Sequence, residues 1–94
     1  MMGKPTITQL VAAIKLVGAS VGAREAVYCF EGRFAFQLGA GWWLAVSPDD
    51  AGRFRIEACR GGRVRATMWC LAGDDARLAE LASMAAEEAT ALAF

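Results

Sequence analysis

Between Ala26 and Cys70 the apolar residues recur at every second position, the spacing of strands with one dry and one wet side. Val27 and Cys29 alternate with Ala26, Tyr28 and Phe30 as far as a Glu31-Gly32 turn. Phe34, Phe36 and Leu38 alternate with Arg33, Ala35 and Gln37; then, past Gly39-Ala40-Gly41, Trp42, Leu44 and Val46 alternate with Trp43, Ala45 and Ser47. Phe54, Ile56 and Ala58 follow, set between Arg53, Arg55, Glu57 and Cys59. Beyond Arg60-Gly61-Gly62, Val64, Ala66, Met68 and Cys70 alternate with Arg63, Arg65, Thr67 and Trp69.

On either side of this block the period becomes helical. Ile7, Leu10, Val11, Ile14, Val17 and Val21 predict a helix over 6–20 with one apolar stripe, and Gly18 and Gly22 weaken its end. Thr6 with Gln9 three positions on has the spacing of a capping box. Leu78, Leu81, Ala82, Ala85, Ala89 and Leu92 predict a second helix over 74–92, with Asp74 and Asp75 at its positive end. The fold class expected is α+β: helix, five-stranded antiparallel meander sheet, helix, with at least one helix packed on the apolar sheet face. Residues 1–94 make a single domain of that kind.

Connection length decides which alternating sets share a face, because a one-residue slip flips every side chain. A two-residue Gly61-Gly62 turn would set the apolar half of one strand beside the polar half of the other. A three-residue loop with a bulge at Gly62 predicts instead that Ala58 faces Val64, Ile56 faces Ala66 and Phe54 faces Met68. Glu57 then meets Arg65, and Arg53 meets Trp69. The same device at Gly41 sets Leu38, Phe36 and Phe34 opposite Trp42, Leu44 and Val46. A five-residue loop after Ser47 keeps Val46 beside Phe54.

The expected core face is therefore Val27, Cys29, Phe34, Phe36, Leu38, Trp42, Leu44, Val46, Phe54, Ile56, Val64, Ala66 and Met68. The reverse face would hold Tyr28, Phe30, Trp43 and Trp69 among Arg33, Gln37, Arg53, Arg55, Glu57, Arg63, Arg65 and Thr67. Large aromatics among arginines exceed what a wet sheet face needs, and such patches mark interaction sites.

Composition sharpens that picture. Hydrophobic residues are 56% of the 94, more than so small a chain can cover alone, which favours self-association. A formal net charge of zero argues against nucleic acid or an anionic membrane as an overall electrostatic partner. Three cysteines and no histidine form neither a disulfide framework nor a zinc site, and fit a reducing compartment. With no apolar run of about 18 residues and no signal-peptide pattern, a cytoplasmic protein is expected. Its richness in Ala, Gly and Arg suits a GC-rich bacterial genome.

Four readings of the reverse face follow. A helix on each face would make the aromatics core, at the cost of burying many arginines. A homodimer would bury them through one self-complementary patch, since Trp, Tyr and Arg are the residues enriched at interface hot spots. A platform of rings and guanidinium groups would suit an anionic or aromatic small ligand, or single-stranded nucleic acid. An enzyme is not expected: there is no nucleophile motif, phosphate loop, metal cluster or cofactor signature, and only Cys59 has a basic setting of the kind that activates a thiol, through Arg63 and Arg65. The expectation is a non-enzymatic binding or adaptor domain, homodimeric through Tyr28, Phe30, Arg33, Trp43, Arg53, Arg55, Arg65 and Trp69. The element order resembles that of small dimeric secretion chaperones, without the helix they carry between strand groups, and assigns no family.

Overall fold

The structure, a computed structural model, describes residues 3–22, 26–28, 32–39 and 41–92, of which 89–92 by backbone alone. Helix α1 (Ile7–Val21) precedes five strands, β1 (Val27–Tyr28), β2 (Phe34–Gly39), β3 (Trp42–Asp49), β4 (Arg53–Arg60) and β5 (Arg63–Leu71), and helix α2 (Asp75–Leu92) closes the chain order. The strands pair antiparallel in the order β1-β2-β3-β4-β5, the meander that the alternation predicts.

Both helix starts are fixed by side chains. Thr6 Oγ1 accepts from the Gln9 N–H at 3.2 Å while Gln9 Oε1 accepts from the Thr6 N–H at 2.9 Å, completing the capping box. Asp74 Oδ1 accepts from the Arg77 N–H at 3.2 Å and so caps α2. α1 stops at Gly22, whose φ of 69° is the left-handed cap that a glycine supplies at least cost.

Leu10, Ala13 and Val17 of α1 and Leu78, Leu81, Ala82 and Ala85 of α2 form one core with Phe36, Leu44, Val46, Phe54, Ile56 and Cys70. Both helices therefore lie on the even-numbered face of the sheet, and the arrangement with one helix on each face is excluded. The α1 stripe is turned from the expected one. Small Ala13 and Gly18 take buried positions, leaving Val11 exposed and Ile7 81% exposed. The side chains of Ala89 and Leu92 lie outside the described residues.

The faces keep their parity, but three connections reach it differently. Gly61 and Gly62 form a two-residue turn with φ of 60° and 77°, the backbone that matches the right-handed strand twist. Arg60 faces Arg63 and Cys59 faces Val64, and then a bulge makes Arg65 the extra residue of β5. Past the bulge Ala58 faces Ala66, Ile56 faces Met68, Phe54 faces Cys70, Glu57 faces Thr67 and Arg55 faces Trp69. The expected partners were two residues away, and Val64 moves from the core face to the reverse one, where it is exposed.

Between β3 and β4 the ladder runs on to Asp49 opposite Arg53, so Val46 faces Ile56 and Pro48 faces Phe54. Between β2 and β3, Phe34 faces Val46 and Phe36 faces Leu44 as expected, but a bulge sets Gly39 rather than Leu38 opposite Trp42.

The largest change is at β1. Val27 faces Ala35 and Tyr28 faces Phe34, which inverts the expected faces of this strand. Tyr28 stands on the helix side with its ring 5.1 Å from that of Phe34, and Val27 belongs to the reverse side. Cys29 and Phe30, and the expected turn at Glu31, fall outside the described residues.

Candidate functional site

With both helices on the even-numbered face, the reverse face of β2 to β5 has no covering element among the described residues. Its middle is built from small side chains, Ala35, Ala45 and Ser47, all buried. Longer neighbours shield them in this arrangement: Arg33, Trp43 and Arg55 are half-buried and Glu57 is only 6% exposed. Arg33 Nη2 lies 3.1 Å from Glu57 Oε1, a diagonal ion pair across two strands.

At the Asp49 end a second network forms. The Trp69 indole N–H donates to Asp49 Oδ2 at 2.9 Å, and the Arg53 guanidinium carbon lies 5.2 Å from the centre of the Trp69 ring. The cation and ring expected to meet do so diagonally, since the residue directly opposite Trp69 is Arg55. Asp49 Oδ1 also accepts from the Asp50 N–H at 2.8 Å. That backbone bond, the indole and the nearby Arg55 and Arg53 together hold the Asp49 carboxyl below the usual carboxylate range. Trp69 remains 48% exposed, and Leu71 beside it 59%.

Several polar atoms here are left unsatisfied. Ser47 Oγ, Arg53 Nε, Arg55 Nε and Glu57 Oε1 are buried without a hydrogen-bond partner. For Glu57 Oε1 the guanidinium is near enough for charge pairing but is not aligned for a hydrogen bond. Orphaned polar atoms at the centre of a surface are what a partner or bound water would satisfy.

Of the residues expected to form the site, the structure brings Arg33, Trp43, Arg53, Arg55 and Trp69 together on this face. Tyr28 is on the helix side, Phe30 is outside the described residues, and Arg65 is moved by the bulge. Arg63, also expected on the reverse face, pairs with Arg60, whose guanidinium carbon lies 5.6 Å from the Trp42 ring centre on the helix side. Cys59 has lost the basic setting expected for it. Burial and then Glu57 push its thiol up, with only Arg33 opposing. Burial and Asp74 do the same to Cys70. Among the described residues no group of three His, Cys, Asp or Glu side chains could hold a metal ion.

A feature that the strand pattern did not disclose lies on the other side. Trp42 and Ala58, with Leu38 against them, form a small second apolar cluster beside the main core. Where the two meet, Trp42, Ala58, Arg65, Ala66, Met68, Met84, Ala85 and Glu88 line a hollow of about 120 Å³. Its signal in the sequence is alanine at facing positions of strand and helix, Ala58, Ala66 and Ala85, too small to close the space. The chain matches no protein-family model, no curated protein and no solved structure.

Proposed function

We propose that this chain is a non-enzymatic binding or adaptor domain that homodimerises through the reverse face of its sheet. The observation that carries the reading is one-sidedness: both helices serve the even-numbered face, and the other face presents Trp43, Trp69, Arg33, Arg53 and Arg55 uncovered. An exposed Trp69 with half-buried Trp43 and arginines around a buried centre has the composition of interface hot spots. The four strands β2 to β5, of six to nine residues, at about 3.3 Å per residue and about 4.8 Å apart offer roughly 500 Å². Two such faces bury on the order of 1,000 Å², the threshold for a specific pair.

Charge is compatible with a two-fold axis, since Asp49 and Glu57 offset most of the arginine charge on the face. Support for a non-catalytic role comes from the absence of histidine in the sequence and from described thiols shifted away from the reactive thiolate. No described helix is long and apolar enough to cross a membrane. The setting we propose is the cytoplasm, where free thiols persist.

Light scattering after gel filtration is the test. At micromolar concentration the protein is expected at twice its 10.0 kDa chain mass. Trp69→Arg is expected to return it to one chain mass, while Ile7→Glu, on the exposed side of α1, leaves the pair intact. A wild-type monomer under these conditions overturns the reading. A second reading, capture of an anionic or aromatic small molecule or single-stranded nucleic acid on this face, is favoured by the unpartnered Arg55 Nε opposite Trp69. It predicts tryptophan quenching that weakens steeply with salt.

A further inference from the structure

The hollow between α2 and the β4–β5 hairpin belongs to neither network of the reverse face. Its walls are largely apolar, from Trp42, whose buried indole N–H has no hydrogen-bond partner, Met68, Met84 and three alanines, and two charges of opposite sign stand among them, Arg65 on β5 and Glu88 on α2. Neither charge forms an ion pair or hydrogen bond among the described residues. Both side chains are exposed, and the bulge in β5 is what brings Arg65 to this side.

An apolar recess with one free cation and one free anion on opposite walls is complementary to a molecule carrying an apolar group, a carboxylate and an ammonium on adjacent atoms. We propose that the hollow is a binding site for a free hydrophobic α-amino acid. The side chain enters between Trp42, Met68 and Met84, the α-carboxylate meets Arg65, and the α-ammonium meets Glu88. A planar guanidinium takes a carboxylate through two parallel hydrogen bonds, which fixes the head group as well as attracting it.

Size sets the side chain. An apolar cavity of about 150 Å³ takes benzene, so about 120 Å³ with an open mouth accepts groups from isobutyl to phenyl. The occupant is a free amino acid rather than a chain end, because an internal peptide bond removes one of the two charges. A peptide N-terminus would leave Arg65 unanswered, and a C-terminus Glu88.

Isothermal titration calorimetry with L-leucine and L-phenylalanine tests this directly. Binding is expected with Kd in the micromolar to low millimolar range for at least one of them. The matching amide and the N-acetyl derivative, each lacking one charge, are expected to bind at least tenfold more weakly. Arg65→Gln and Glu88→Gln are both exposed-site changes, and each is expected to cost the free amino acid at least tenfold. Ala66→Leu, which fills the hollow from an exposed position, is expected to abolish binding. Absence of heat with both amino acids at millimolar concentration overturns the proposal, as does equal affinity for the amide and the N-acetyl derivative. None of these positions lies in the networks of the reverse face, so the outcome is independent of whether the chain dimerises.

Discussion

Ala51 holds a φ of 63° in the turn between Asp49 and Arg53, the one non-glycine residue with a left-handed backbone among those described. A Cβ there meets the neighbouring carbonyl and costs roughly 1–2 kcal/mol, against which glycine loses more entropy on folding. Gly52 follows it with a φ of 66° and is tied on both sides, its N–H donating to the Gly3 carbonyl and its own carbonyl accepting from the Ala72 N–H. The turn therefore cannot relax into another type without releasing the start of the chain and the approach to α2. Ala51→Gly is expected to raise stability by about 0.5–1 kcal/mol. Urea denaturation reads this as a higher midpoint at unchanged slope, and a lower midpoint would mean that Ala51 is held by contacts stronger than the backbone strain. Gly32 is the contrasting case. A Cβ there, at a φ of 73°, would lie 3.3 Å from the Pro48 ring, so a side chain would need that ring to shift by a few tenths of an ångström on top of the backbone strain.

At the scale of elements, hairpins hold the same two faces through different local devices, and this decides what could be read from the chain. Phe34, Phe36, Leu44, Val46, Phe54 and Ile56 are legible because large apolar side chains hold every second position of strands six to eight residues long, although the residues between them, Ala35, Ala45, Ser47 and Glu57, are buried too. The partners across β4 and β5 are not, because two glycines with positive φ favour the two-residue turn, and a bulge at Arg65 then restores parity that a longer loop would also have given. Counting residues cannot separate these two routes. Tyr28 was misplaced for a related reason: a two-residue edge strand has too little alternation to fix its own register. The arginines then follow the backbone, with Arg33, Arg53 and Arg55 on the bare face and Arg63 and Arg65 drawn away from it. The ion pair of Arg33 and Glu57 ties β2 to β4 across β3, with the carboxylate far more buried than the guanidinium. Arg33→Ala leaves that carboxylate in place without a partner, and is expected to cost about 1–3 kcal/mol. Glu57→Gln, which keeps the shape and removes the charge, is expected to cost less. If chemical denaturation shows Arg33→Ala to be neutral, water rather than Arg33 satisfies Glu57.

The whole molecule is two layers, a pair of helices on one face of a single sheet. It measures 44 × 25 × 21 Å, and Val64, Arg65 and Ala66 of the β4–β5 hairpin are exposed. A chain of this length buries only about 60–70% of its unfolded surface, and here one sheet face contributes to the core while the other exposes Trp69 and Leu71 and leaves Ser47 Oγ and Arg55 Nε without a hydrogen-bond partner. If pairing of two such faces is how the surface is completed, stability must depend on concentration. Association binds the folded state alone, so a hundredfold increase in protein adds about 2.7 kcal/mol per dimer and roughly half that per chain. For a domain of this size that is about 5–10 °C in Tm. Wild-type Tm is expected to rise by this amount between micromolar and hundredfold higher protein, while Trp69→Arg, unable to pair, shows a flat and lower Tm. A wild-type Tm that does not move with concentration would mean that the bare face is stable as it stands. The polar atoms at its centre would then have to be satisfied by water, and the arginines around Trp69 would be a solvated surface rather than an interface.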